Sequence, residues 1–147
     1  MIKSLLKDAQ FDRIKVSQAA GQATITSDAV DMSGYEGALF KITLGTIAAG
    51  GLCTCKLQQC ATSGGSYADL EGTSIVNTGD DAAEKIMLLE LINPSKRYIK
   101  LVAVTSVANV GIDSIDVIKF GAKKVPVTQS GDVDVSEQHI GPDEGTA

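Results

Sequence analysis

The sequence predicts an all-β chain, an antiparallel β-sandwich of jelly-roll-like form with a short N-terminal arm and an extended C-terminal tail. Three observations predict it. Apolar and polar residues alternate with a period of two through most of the chain, the pattern of strands that bury one face. Glycine-rich breaks, drawn from 15 glycines in 147 residues, separate the alternating runs. No helix–strand alternation of the kind that builds a parallel sheet is present. A chain of 15.3 kDa makes one domain around one core.

Residues 1–10 read as an arm, with Ile2, Leu5, Leu6 and Ala9 on one side of a helical turn or two, too short to be stable alone. From Phe11 the period becomes two. Arg13-Ile14-Lys15-Val16 alternates, and so does Ala23-Thr24-Ile25-Thr26 after a break at Gly21. In the run from Ala38 to Leu44, residues Ala38, Phe40, Ile42 and Leu44 share a face opposite Lys41 and Thr43. The run from Leu52 to Leu57 places Cys53, Cys55 and Leu57 together. Breaks at 45–51 and at Thr62-Ser63-Gly64-Gly65 follow these two strands.

The second half continues the pattern. Residues 85–92 are apolar on both faces except at Glu90, and 98–105 are rich in β-branched residues. Between them Asn93-Pro94-Ser95-Lys96 has the first two residues of a type I turn, so the two strands are expected to form a hairpin. Residues 110–120 form a long strand whose alternation slips near Ser114, where a bulge restores the phase. The sandwich is expected to span 11–125, with Phe40, Ile42, Leu89, Leu101 and Val117 in its core. Residues 126–147 are expected to form an extended acidic tail.

Charge is unevenly placed. Thirteen Lys plus Arg and eighteen Asp plus Glu give a formal charge of -5. Every basic residue lies at or before Lys124, where thirteen acids balance them; Asp132, Asp134, Glu137, Asp143 and Glu144 have no basic partner. A neutral body with no basic patch is a poor match for nucleic acid, whose binding depends on neutralising phosphates. No run of eighteen apolar residues is present, so no membrane span is expected. The first residues lack the apolar core and cleavage site of a secretory signal.

The reactive groups do not converge, so neither catalysis nor a cofactor is expected. His139, the one histidine, sits in the tail between Gln138 and Ile140. There is no Gly-x-Ser-x-Gly elbow, no phosphate loop and no His-Glu-x-x-His pair. Asp80-Asp81 and Asp132-x-Asp134 lack the other spaced ligands of a calcium loop, and no metal site is expected. Cys53, Cys55 and Cys60 are odd in number, and a bridge between i and i+2 does not suit an extended strand. They read as small buried hydrophobes in a reducing compartment, with metal or redox roles as the alternative. A sugar would need exposed rings, and only Tyr35, Tyr67 and Tyr98 are available, since Phe40 and Phe120 read as core.

Three stretches carry a resemblance. The first is Cys55-Lys56-Leu57-Gln58-Gln59 with Thr62-Ser63-Gly64-Gly65-Ser66-Tyr67-Ala68-Asp69-Leu70. The second is Lys85-Ile86-Met87-Leu88-Leu89-Glu90-Leu91, then Pro94, then Lys96-Arg97-Tyr98-Ile99-Lys100. The third is Gly121-Ala122-Lys123-Lys124-Val125-Pro126-Val127-Thr128 with the terminal Pro142-Asp143-Glu144-Gly145-Thr146-Ala147. Together they resemble capsid decoration, or cement, proteins of tailed-bacteriophage heads. The first also occurs in tail and adhesin β-domains.

The resemblance implies a non-enzymatic virion protein that binds the outer surface of a phage capsid and stabilises the shell. Its partner would be the major capsid protein, and its place the capsid surface after assembly in the host cytoplasm. A tail or head–tail joining protein is the alternative, and a carbohydrate-binding sandwich the third. Ile2, Leu5, Leu6, Val133, Val135 and Ile140 are the candidate subunit or capsid contacts, being apolar points on the arm and in the tail. The tail is expected to lie along an adjacent subunit, in a homo-oligomer for which a trimer is favoured. Direct nucleic-acid and membrane contacts are not expected.

Overall fold

The computed structural model describes residues 4–141 and 143–146, and among them eleven strands divide between two antiparallel sheets packed face to face. In chain order these are β1 (Gln10–Lys15), β2 (Gln18–Gly21), β3 (Thr24–Thr26), β4 (Val30–Asp31), β5 (Gly37–Ile47) and β6 (Leu52–Cys60). After them come β7 (Ala68–Asp69), β8 (Ile75–Val76), β9 (Ile86–Ile92), β10 (Tyr98–Ser106) and β11 (Val110–Phe120). A helical turn, α1 (Leu5–Asp8), precedes β1, and a 3-10 turn (Asp80–Ala82) precedes β9.

The first sheet runs β1-β11-β5-β9, with β2 also on β11; the second runs β3-β10-β6-β7, with β4 on β10 and β8 on β6. Taking β1/β2, β3/β4 and β7/β8 each as one interrupted strand leaves four in each sheet, in the order of a jelly roll. Consecutive long strands therefore face each other across the core instead of pairing.

That order corrects one expectation. Residues 85–92 and 98–105 do not form a hairpin: β9 pairs with β5, and β10 pairs with β6 in the opposite sheet. Residues 93–97 arch over one end of the sandwich, with Asn93 at a positive φ of 50°. Both strands carry an inward apolar face, and two opposed sheets bury both at once. Local turn residues cannot tell such an arch from a hairpin.

The inward faces meet as the alternation predicts. Phe40, Ile42 and Leu44 of β5 and Ile112, Ile115 and Val117 of β11 pack on Cys53, Cys55 and Leu57 of β6 and on Ile99 and Leu101 of β10, all fully buried. Each of the expected core residues Phe40, Ile42, Leu89, Leu101 and Val117 is buried. Against β5, β11 slips register between Val110 and Ile112 and again between Ile112 and Ser114. The slip lets Ile112 and Ile115 both face inward while Asp113 points to solvent, which is the bulge the sequence pattern calls for. Gly37 has no side chain to keep the Phe120 ring of β11 from crossing it.

Short strands leave gaps in the second sheet's ladders, and polar side chains fill them. The Leu101 N–H donates to Ser27 Oγ (3.0 Å), and the Ala23 N–H to Thr105 Oγ1 (2.8 Å). Asn77, itself buried, accepts from the Cys53 N–H (2.7 Å) and donates to the carbonyls of Gly51 (3.1 Å) and Gly79 (3.2 Å). A buried backbone group deprived of its partner is costly. Asn77→Ala is therefore expected to cost about 1–3 kcal/mol in urea unfolding. An unchanged midpoint would show that Asn77 does not carry this closure.

Candidate interaction surfaces

The segment that follows β11 meets the arm and β1. After β11 the backbone turns at Gly121, the Lys123 N–H donates to the Gly34 carbonyl (2.9 Å), and the chain passes a cis Val125–Pro126 bond. It then runs beside α1 and β1. The Val127 N–H donates to the Lys7 carbonyl (2.9 Å), and Gln10 Nε2 to the Thr128 carbonyl (2.7 Å). Gln129 bridges the arm: its Nε2 donates to the carbonyls of Leu6 (2.9 Å) and Ala9 (2.8 Å), and its Oε1 accepts the Phe11 N–H (2.9 Å). Ser130 Oγ donates to Asp12 Oδ1 at 3.0 Å. Burial and the nearby Asp132 carboxyl push Asp12 above the usual carboxylate range.

The candidate contact residues are thus placed differently from one another. Leu6 and Val133 are half-buried on their own chain, with Val133 beside Phe11 and Ile118. Leu5 is 64% exposed, and Val135 and Ile140 are each 74% exposed. Ile2 lies outside the described residues. Nothing periodic marks Gln129 in the sequence, since one side chain makes the clasp. Gln129→Ala is expected to leave the sandwich folded but to expose the segment after Pro126 to limited proteolysis several-fold faster than in the wild type. Equal cleavage rates would show that the clasp does not hold the tail.

A second surface is β9. Its inner face carries Met87, Leu89 and Leu91, while Ile86, Leu88 and Ile92 on the outer face are 52%, 51% and 59% exposed. Among the described residues β9 pairs with β5 alone, so its other edge is open. Exposed edges are commonly guarded by prolines, inward charges or bulges; β9 has a regular register over its whole length. On the same outer face Lys41 stands beside Leu88, and Leu39 beside Glu90. The apolar row continues from Leu39 to Ile118 and Phe11. The sequence shows β9 as apolar on both sides but does not reveal that it is an edge.

A third surface is a cleft of about 540 Å³ at the arched end, where the β4–β5 loop, residues 93–97 and Lys123 meet. Lys96, Arg97 and Lys123 line it with Ser33, Tyr35 and Glu36. The neutral charge of the body conceals this basic cluster, which the fold gathers from separate segments. Arg97 makes two hydrogen bonds to the Asp31 carboxylate (2.9 and 2.8 Å), which hold that carboxyl well below its usual range. Under the cleft Lys119, only 8% exposed, donates from Nζ to the Asp31 carbonyl (3.1 Å) and sits 4.5 Å from the centre of the Tyr35 ring. Burial lowers its pKa against the opposing pull of Asp12 and Asp31.

The other groups singled out by sequence are occupied or apart. Lys100 covers the Tyr67 ring at 4.4 Å, Arg97 lies 5.1 Å from that of Tyr98, and Lys119 covers Tyr35. Each tyrosine thus has one ring face taken by a cation, which leaves less for a sugar to stack on. The thiols of Cys53 and Cys55 lie 3.7 Å apart in the core, and the hydrogen bond between them, with burial, holds Cys55 well above the ordinary thiol range. Cys60 is buried beside Thr62. His139 is exposed, 3.2 Å from Glu137. Among the described residues no three His, Cys, Asp or Glu side chains gather as metal ligands, and no helix is long and apolar enough to cross a membrane.

No family model and no curated protein matches the sequence. Among solved structures the chain is similar to one in a structure of infectious bursal disease virus, Gt strain, at 7% identity and a TM-score of 0.28. The match covers 82% of this chain and 38% of that one. At that TM-score the likeness carries no argument about function.

Proposed function

We propose that this chain is a non-enzymatic virion structural protein that binds the outer surface of a tailed-bacteriophage capsid and stabilises the shell. The observation that carries the reading is the open, apolar edge of β9 on a sandwich whose core is otherwise closed. A strand with unpaired backbone groups and three outward aliphatic side chains is suited to docking on another protein's strand or apolar surface. The resemblance of its three sequence stretches to decoration proteins supplies the virion context, with the major capsid protein as partner.

The energetics suit a protein used in many copies. Ile86, Leu88 and Ile92 are about half exposed already, so covering them contributes about 1 kcal/mol each. Such a contact is weak alone and becomes firm when neighbouring copies are linked on a lattice. Fold by itself assigns no function, so the experiment must place the protein in the particle.

Electron microscopy of particles grown with and without the protein tests this. Decoration predicts density over the whole head and shells that withstand heating better with it. A ring at one vertex would instead identify a connector, and density on the tail a tail protein. Leu88→Glu, folded by circular dichroism, is expected to bind empty shells about tenfold or more weakly, because a carboxylate cannot be buried unpaired. Undiminished binding would remove β9 as the contact.

A further inference from the structure

We infer that the basic cleft at the arched end receives the acidic tail of a second copy of this chain, joining copies head to tail. The inference does not depend on a place in a virion. It rests on the chemistry of the cleft, the chemistry of the tail and the course the tail takes.

Lys96 and Lys123 present exposed ammonium groups in the cleft. Arg97 is held rigid by Asp31, and the buried Lys119 adds positive charge from beneath. Glu36 and Asp31 are the opposing carboxylates, and the second is spent on Arg97. Ser33 and Ser95 add hydroxyls, and Met32, Tyr35 and Pro94 add apolar wall. Such a site fits an extended peptide rich in carboxylates with occasional aliphatic side chains. The tail is such a peptide, with Asp134, Glu137, Asp143 and Glu144 around Val135 and Ile140 and no lysine or arginine among them.

Among the described residues the chain's own tail does not occupy the cleft, which leaves it open to a neighbour's. β1 is antiparallel to β11, with Gln10 opposite Lys119, so β1 begins at the cleft end and runs away from it. The tail travels the same way: Val127 is beside Lys7, Gln129 beside Ala9, Ser130 beside Asp12, and Asp132 shares a hollow with Arg13 and Lys15. At Ser130–Val133 the backbone turns, the Val133 N–H donating to the Ser130 carbonyl (3.1 Å), so the acidic half starts midway along β1 and β11, and no described residue of it lines its own cleft. Residues 134–147 can span about 45 Å when extended, enough to reach the next molecule. A contact of this kind uses two different surfaces, and it closes into a ring or runs on as a chain. Nucleic acid is a poorer occupant, since three cations in one cleft make no phosphate track and the whole chain is at -5.

Analytical ultracentrifugation of the full chain, over a range of concentrations in low and high salt, tests the inference. The wild type is expected to self-associate in low salt and to dissociate in high salt. Lys96→Glu with Lys123→Glu is expected to weaken association about tenfold or more, because each attraction becomes a repulsion. Reversing the tail with Asp134→Lys, Glu137→Lys, Asp143→Lys and Glu144→Lys should do the same. Mixed, the two variants should form a complex with each other, which a general charge effect would not produce. All these positions are exposed, so the variants are expected to fold, which circular dichroism checks. Association unaffected by the cleft reversal, failure of the mixture to pair, or a wild type that stays monomeric in low salt would overturn the inference. So would an oligonucleotide that binds the cleft while a synthetic 134–147 peptide does not.

Discussion

Strand β11 enters the first sheet between β1 and β5, and the other surfaces take their positions from that insertion. The last strand becomes an interior one, paired along both edges. Its bulges keep Ile112, Ile115 and Val117 on the core face despite the break in phase. Because β11 ends at Phe120 beside the start of β1, the chain that follows emerges next to the arm and can be clasped by Gln129. Because β11 and β5 take the centre, β9 is left at the rim with one edge open. Lys119, in phase with Val117, is carried under the arch that forms the cleft floor.

Hydrophobic burial drives the two sheets together, but it does not decide how the short strands close. Ser27, Thr105 and Asn77 do that by standing in for missing ladder partners. The result is a rigid body whose inner polar groups are satisfied, with exposed features gathered at its edge, its arched end and its tail.

Much of this was legible from residue order, and the reasons for the gaps are physical. The alternation in β5, β6, β10 and β11 fixes which side chains face inward, and Phe40, Leu101 and Val117 follow from it. The inward course of Lys119 went unread, although it continues the row of Ile115 and Val117. Strands β4, β7 and β8 are two residues each, too short to show any period. The partner of β9 was misread because Asn93-Pro94 is a local signal, whereas the choice between hairpin and arch depends on which sheet buries each strand. The cleft was invisible because Lys96, Arg97 and Lys123 meet only after the fold is complete. The tail's clasp was invisible because Gln129 acts through three backbone groups rather than through any repeating pattern.

In the proposed reading the open apolar edge of β9 is the docking surface, and the interior of the sandwich holds that edge in shape. Hydrogen–deuterium exchange, compared between the free protein and the protein bound to shells, tests this most directly. The outward amides of β9 should exchange quickly in the free protein, being unpaired, and should slow by an order of magnitude or more on binding. Those of β11, paired on both sides, should be slow in both states. Unchanged exchange in β9 on binding, with protection appearing elsewhere, would contradict the account.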